Sequence, residues 1–164
     1  TGASLEDVFN LGSLVNNSIR TLGIAVSPCI LPEAGKPTFE ISDDEIEIGM
    51  GIHGEPGIKR EKLRKADLLV DDLCKRIFDD FKLNNKDKVS IMINSLGATP
   101  LEELYIVSKR VHENFSKLNI EITKSYVGRY ATSMEMGGLS ITVLKLNHDL
   151  NQNLLYPSEC PFWT

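Results

Sequence analysis

The chain has 164 residues, of which 41% are hydrophobic and 25% charged, and its formal net charge is -5. This length and composition are typical of one globular domain with its own core, and no apolar run reaches the roughly 20 residues of a membrane span. The acidic balance, without a lysine-rich stripe, argues against a protein that binds the phosphate backbone of nucleic acids.

The first part of the chain predicts one helix and three short strands. Ser4 and Asp7 match a capping box, and apolar residues follow at spacings of three and four: Leu5, Val8, Leu11, Val15, Ile19 and Leu22. A short buried strand is predicted at 23–26, and a loop with prolines follows it. Further strands are predicted at 39–41 and at 46–52.

The clearest predicted helix runs from about 61 to 81. It has charged residues on one side and an apolar stripe on the other, made of Leu63, Ala66, Val70, Leu73, Ile77 and Phe81. We interpret the basic residues at 59–65 as the solvated start of this helix rather than as an anion site.

Strands and one more long helix are predicted in the rest of the chain. A strand at 89–93 precedes Thr99 and Pro100, which predict the N-cap and first position of a helix that ends near 118. Strands at 122–128 and 140–146 and a short helical turn in the tail follow. The order predicts an α/β fold: a two-layer domain with a mixed sheet of about six strands and helices mainly on one face.

The three cysteines, Cys29, Cys74 and Cys160, show neither CxxC nor metal-ligand spacing. This pattern favours reduced thiols in a cytoplasmic protein, although one disulfide stays open. No two histidines or cysteines have the spacing of zinc ligands, and no P-loop is present. We therefore expect no metal site and no tight binding of ATP by this chain.

The segment with the most chemical information is the histidine hinge, residues 49–57, with the sequence GMGIHGEPG. Glycines let the backbone approach a ligand closely, so an imidazole at the end of a strand is presented with little bulk around it. A neutral imidazole is also a nucleophile near neutral pH. The hinge therefore makes His53 the candidate for covalent or acid–base chemistry.

Two further polar segments follow predicted strands. Residues 94–99 lie where a strand meets a helix N-terminus, which is a common ligand position, but the spacing alone favours a plain turn in which Thr99 only caps the helix. Residues 132–138 fit either the wall of a small polar pocket or a wide hairpin loop.

Four blocks of the sequence resemble the substrate-binding subunit of dihydroxyacetone kinase. They are residues 34–39 (AGKPTF), 47–58 (EIGMGIHGEPGI), 94–105 (NSLGATPLEELY) and 132–142 (TSMEMGGLSIT). The blocks occur in the family's order, and the resemblance runs from about residue 4 to residue 146.

The resemblance implies that His53 forms a covalent hemiaminal with the carbonyl carbon of dihydroxyacetone. Gly51 and Gly54 would bind substrate by keeping the approach to His53 open. The family pattern further implies that ATP or ADP with Mg is held by a separate nucleotide-binding subunit or domain, so this chain needs no cofactor. It also implies homodimers of the full-length protein.

The resemblance also implies that residues 1–164 are the second, C-terminal domain of that subunit, without its N-terminal domain. The sequence departs from the family pattern at three places: Ser95 replaces an asparagine, Glu135 an aspartate and Leu139 a phenylalanine. These departures leave open an alternative, a non-catalytic paralogue that senses dihydroxyacetone as a coactivator of a transcription regulator.

Overall fold

The computed structural model of the chain describes residues 2–53 and 55–160. Its helices are α1 (Leu5–Asn17), α2 (Ala66–Asp80), α3 (Leu101–Lys117) and α4 (His148–Leu154). Its strands are β1 (Ile19–Ser27), β2 (Glu45–Ile48), β3 (Lys59–Lys62), β4 (Lys88–Ser95), β5 (Glu121–Gly128) and β6 (Gly137–Leu146).

The strands form one mixed sheet in the order β3-β2-β1-β6-β4-β5. Strands β4 and β5 are parallel because α3 connects them, and the other neighbouring pairs are antiparallel. The predicted fold class, a mixed sheet of about six strands with helices mainly on one face, is confirmed.

The core lies between the sheet and helices α2 and α3. Alternate residues of β4, namely Val89, Ile91 and Ile93, point to the helices and are almost completely buried. Phe115 of α3 is fully buried and packs edge-to-face against Phe78 of α2, with ring centroids 4.9 Å apart. This packing holds the sheet against the two helices. The loops at one end of the strands lie outside this core.

The first helix begins as predicted and ends earlier. The capping box of Ser4 and Asp7 is confirmed, but α1 stops at Asn17, and Ile19 and Leu22 belong to β1. The strand wins because β1 pairs with β6 from Ile19 onward and β-branched residues suit a paired strand. None of the residues of α1 is buried, so its apolar stripe is not part of this core.

The predicted second helix is wrong over its first turn. Residues Lys59–Lys62 form the edge strand β3, in which Arg60 pairs with Glu47 at 2.8 Å and Lys62 with Asp44 at 2.6 Å. This basic segment pairs with β2 because opposite charges face each other across the two strands. Helix α2 therefore starts at Ala66, and Leu63 lies in the loop before it.

Two predicted strands also differ. Strand β2 ends at Ile48 rather than at 52, since Gly49 has a φ of +84°, outside the extended region. Residues 39–41 are not a strand; the nearby chain instead forms one isolated bridge between Ile30 and Pro37.

The remaining elements, β4, α3, β5, β6 and a short final helix, are confirmed within a few residues. The longest helix in the described ranges, α3, has 17 residues, and no helix there has both the length and the apolarity needed to cross a membrane.

Candidate functional site

The histidine hinge is closed at its base by backbone hydrogen bonds. Gly49 N–H donates to the carbonyl of Gly23 at 2.7 Å, and Ile58 N–H donates to the carbonyl of Ile48 at 2.7 Å. At the outgoing end, Gly57 N–H donates to Oε1 of Glu47 at 2.8 Å. These bonds thus hold the two ends of the loop against β1 and β2.

His53 stands at the tip of this loop with 79% of its side chain exposed. Its Nδ1 lies 3.0 Å from Oε1 of Glu55, and its backbone N–H donates to Oε2 of the same carboxylate at 3.1 Å. No described residue makes a hydrogen bond to Nε2. The ring is therefore held through Nδ1, while Nε2 has no hydrogen-bond partner among the described residues.

A cavity of about 480 Å³, the His53 cavity, lies beside this ring. Besides His53 and Ile52, its walls come from the loop after β1 and from the connection between β5 and β6, and they include Cys29, Thr38, Arg129 and Thr132. This volume is within the range of small-molecule sites. Three loops that are distant in sequence therefore meet at the candidate histidine.

A second cavity of about 370 Å³ adjoins the first across Ile52, which lines both. It is lined by the backbone of Gly49 and Gly51 and by Asn94 from the end of β4. Ile52 of the histidine hinge thus separates the two cavities.

The structure describes one of the two predicted site glycines, Gly51. Gly54 lies outside the described residues. Gly51 N–H donates to the carbonyl of Glu55 at 3.3 Å, and a Cβ atom at Gly51 would collide with the Glu55 carboxylate. The missing side chain at Gly51 therefore makes room for Glu55.

Residues 94–99 brace the neighbouring loops. Oδ1 of Asn94 accepts from the backbone N–H of Tyr130 at 2.8 Å and of Ala131 at 3.0 Å, so the buried amide fixes the loop after β5. The Ser95 hydroxyl donates to the carbonyl of Thr99 at 2.8 Å. Thr99 does not cap α3, because its Oγ1 accepts from Gly138 N–H at 2.9 Å and Pro100 occupies the N-cap.

Four residues of the segment 132–138 line the His53 cavity, namely Thr132, Ser133, Met134 and Met136, which agrees with one of the two interpretations left open by the sequence. A hairpin is wrong, because β6 lies between β1 and β4 and does not pair with β5. Oε1 of Glu135 accepts from Ile30 N–H at 3.1 Å and so joins this loop to the loop after β1.

Sequence reasoning missed Glu55, Cys29 and Arg129. The signal for Glu55 was available, since a carboxylate two residues from a histidine in a tight loop reaches the imidazole easily. Cys29 and Arg129 could not be found, because only the folded sheet brings their loops to His53. Within the described ranges, no group of three His, Cys, Asp or Glu side chains is arranged to hold a metal ion.

Comparison with known proteins identifies the family. The family model of the Dak1 domain matches residues 1–162. The chain is 49% identical over 148 residues to the dihydroxyacetone-binding subunit DhaK of PTS-dependent dihydroxyacetone kinase 1 from Listeria innocua, covering 90% of this chain and 45% of that protein. Its identity to the corresponding subunit of the PEP-dependent kinase from Escherichia coli is 36% over 172 residues, covering 90% and 48%.

A solved structure described as the dihydroxyacetone kinase operon co-activator Dha-DhaQ is also similar. It superposes with a TM-score of 0.87 at 29% identity, over 95% of this chain and 49% of that one. This chain belongs to the Dak1 domain family, which confirms the resemblance seen in the sequence. It spans about half the length of the curated dihydroxyacetone-binding subunits that it matches.

Proposed function

We propose that this chain is the part of a dihydroxyacetone kinase's substrate-binding subunit that anchors dihydroxyacetone covalently through His53. The observation that carries this proposal is the state of the His53 ring: Nδ1 is engaged by Glu55, no described residue bonds Nε2, and His53 lines a cavity of about 480 Å³. The 49% identity to a protein named as a dihydroxyacetone-binding subunit supports the choice of ligand.

The proposed chemistry is an addition to the ketone. The lone pair of Nε2 attacks the carbonyl carbon, a C–N bond forms, and the electron pair of the C=O π bond moves to oxygen. That oxygen takes a proton from water and becomes a hydroxyl, and the hydroxide that is left is neutralised by the buffer. The ring keeps its Nδ1 proton and carries a positive charge, which the Glu55 carboxylate faces.

Covalent capture of this kind explains selectivity and positioning together. Glycerol and other polyols have no carbonyl and cannot form the adduct. The captured ketone presents a terminal hydroxyl in a fixed place for phosphoryl transfer, in which positioning supplies much of the catalysis. In this proposal the nucleotide and Mg reside on a separate subunit or domain, and homodimerisation of the full protein stays a prediction.

A second candidate function is supported by the likeness to the co-activator structure. In this case His53 would hold dihydroxyacetone as a signal, with no phosphoryl transfer. The lower identity to that protein, 29% against 49% for the kinase subunit, makes it the alternative.

The covalent anchor is tested with the full natural polypeptide that contains these residues. Dihydroxyacetone labelled with ¹³C at its carbonyl carbon should lose the carbonyl resonance on binding and gain the resonance of a tetrahedral carbon attached to nitrogen. His53→Ala should abolish the new resonance without unfolding the protein, because the side chain is mostly exposed. His112→Ala, a matched change at an exposed histidine of α3, should leave it intact. An adduct that persists in His53→Ala would remove the proposed mechanism.

The choice between kinase subunit and sensor needs a separate assay. We expect the full protein, mixed with a nucleotide-binding kinase subunit and its phosphoryl donor, to produce dihydroxyacetone phosphate. A protein that forms the adduct but gives no product with a subunit that is active on another substrate-binding partner would support the sensor.

A further inference from the structure

We propose that Glu55 is a positioning residue that holds the His53 ring as the Nδ1–H tautomer, so that the lone pair needed for addition is on Nε2. This inference rests on the proposed function, and it assigns a role to a residue next to the anchor. Glu55 acts through His53 and does not itself touch the reacting carbon.

The contact is bidentate, which fixes both the ring and the backbone of one residue. Oε1 lies 3.0 Å from Nδ1, and Oε2 accepts from the backbone N–H of His53 at 3.1 Å. Since both oxygens bind the same residue, the ring is held relative to its own main chain. Rotation that would exchange the places of Nδ1 and Nε2 breaks the first of these bonds.

The position of the proton follows from the charge of the partner. Glu55's own backbone amide, and then the hydrogen bonds from His53, hold the pKa of the Glu55 carboxyl below its usual value. An ionised carboxylate only accepts hydrogen bonds, so the nitrogen 3.0 Å away must be the donor. Nδ1 therefore carries the proton in the neutral ring, and Nε2 is the nucleophile.

The same carboxylate suits the charge of the product. Addition at Nε2 makes the ring a cation, and an anion in contact with Nδ1 favours that state. The other ionisable groups among the described residues that line the His53 cavity are Arg129 and Cys29. Arg129 donates to the carbonyl of Met134 at 3.0 Å. Because Arg129 is itself a cation, it cannot offset the positive charge on the adduct.

Gly51 gives an independent way to disturb this contact. A Cβ atom at Gly51 would collide with the Glu55 carboxylate, the end of a flexible side chain that moves away more easily than backbone does. Gly51→Ala should therefore displace Glu55 and leave His53 itself in place. We therefore expect Glu55→Ala and Gly51→Ala to have the same effect, which is the loss of the contact between Glu55 and His53.

The test measures the tautomer directly and without substrate. The ¹⁵N resonances of the His53 ring, assigned by their loss in His53→Ala, are recorded at an alkaline pH at which they no longer change with pH, so that the ring is neutral. We expect a protonated Nδ1 in the natural protein and a mixture of both tautomers in Glu55→Ala and in Gly51→Ala. Glu33→Gln, which removes an exposed charge without touching His53, should match the natural protein. A predominantly Nε2–H ring in the natural protein, or an unchanged tautomer in both variants, overturns the inference.

The second arm follows adduct formation with ¹³C-labelled dihydroxyacetone in the full polypeptide. Loss of a charge-assisted hydrogen bond should slow adduct formation or lower its equilibrium constant about ten- to hundredfold in Glu55→Ala, with circular dichroism unchanged. Equal adduct formation in Glu55→Ala refutes the positioning role and leaves the covalent anchor standing. Absence of the adduct from the natural protein refutes the proposed function, while the tautomer measurement still decides the role of Glu55.

Discussion

Glu47 is the residue whose substitution best tests how the histidine hinge is held. Its carboxylate is mostly buried, and its two oxygens accept from Gly57 N–H and from the Arg60 guanidinium, each at 2.8 Å. Glutamine in its place retains an acceptor for Gly57 and presents an uncharged group to Arg60. The substitution Glu47→Gln therefore removes the charge and keeps the shape.

The expected magnitude follows from the environment of the pair. A hydrogen bond to a charged group contributes about 1.5–3 kcal/mol when buried. Arg60 is 45% exposed, so solvent screening reduces this, and we expect Glu47→Gln to lower the free energy of unfolding by about 1–2 kcal/mol. The matched change Glu45→Gln on the same strand should cost less than about 0.5 kcal/mol, because the described hydrogen bond of its carboxylate, from Ser42 N–H, is long at 3.4 Å, and its attraction to Lys62 and Arg60 is screened by solvent.

The effect should depend on pH with a definite sign. The Arg60 guanidinium holds the pKa of the Glu47 carboxyl below its usual value. A carboxylate with a depressed folded-state pKa stabilises the protein above its unfolded pKa of about 4.3, and this stabilisation is lost as pH falls through the folded value. The difference between the natural protein and Glu47→Gln should be full at neutral pH and shrink below about pH 4.

Urea unfolding followed by circular dichroism, at neutral and at acidic pH, measures this difference. A loss of equal size at both pH values would mean that the charge of Glu47 is not the source of the stabilisation. An equal loss in Glu45→Gln would contradict the specific role given to the Glu47 contacts.

Two further predictions concern a glycine and a thiol. Gly97→Ala should destabilise the protein by about 1–3 kcal/mol in the same assay, because Gly97 has a φ of +141° and a Cβ atom there would lie 3.0 Å from backbone atoms of Met134 and Glu135. Gly12→Ala, in an open helical position, should instead stabilise by up to about 1 kcal/mol, and equal losses would contradict the argument. Burial raises the pKa of the Cys74 thiol to about 11. Iodoacetamide should therefore label the exposed Cys160 in the native state and Cys74 only after unfolding. Peptide mass spectrometry that finds both cysteines labelled in the native state would contradict this.

The elements that the sequence predicts well are those whose local pattern and tertiary environment agree. Helix α3 has acidic residues in its first turn and an apolar stripe that meets the sheet, and β4 places Val89, Ile91 and Ile93 at alternate positions that all face the helices. The failures occur where a distant partner decides. Residues 59–62 look like a helix start until β2 offers them opposite charges, and Ile19 joins a strand because β6 lies beside it.

The site divides in the same way. The sequence makes His53 a candidate, because glycines around a histidine are a local signal. Glu55, the partner of the ring, is only two residues from His53 in the sequence. Its role, however, depends on a loop geometry that the sequence alone does not specify. Cys29, Arg129 and Asn94 are brought to the hinge only by the strand order, in which β6 separates β1 from β4.

The three departures from the family pattern can be interpreted from their contacts. The Ser95 hydroxyl closes its own loop through Gly97 N–H and the Thr99 carbonyl, and Leu139 is buried in the core. The longer arm of Glu135, compared with an aspartate, spans the distance to Ile30 N–H and joins two loops that line the His53 cavity. All three side chains are thus accommodated by packing or hydrogen bonds, and none of them contacts His53. They help to hold the surrounding loops and the core, so their contacts give no reason to prefer the coactivator over the kinase subunit.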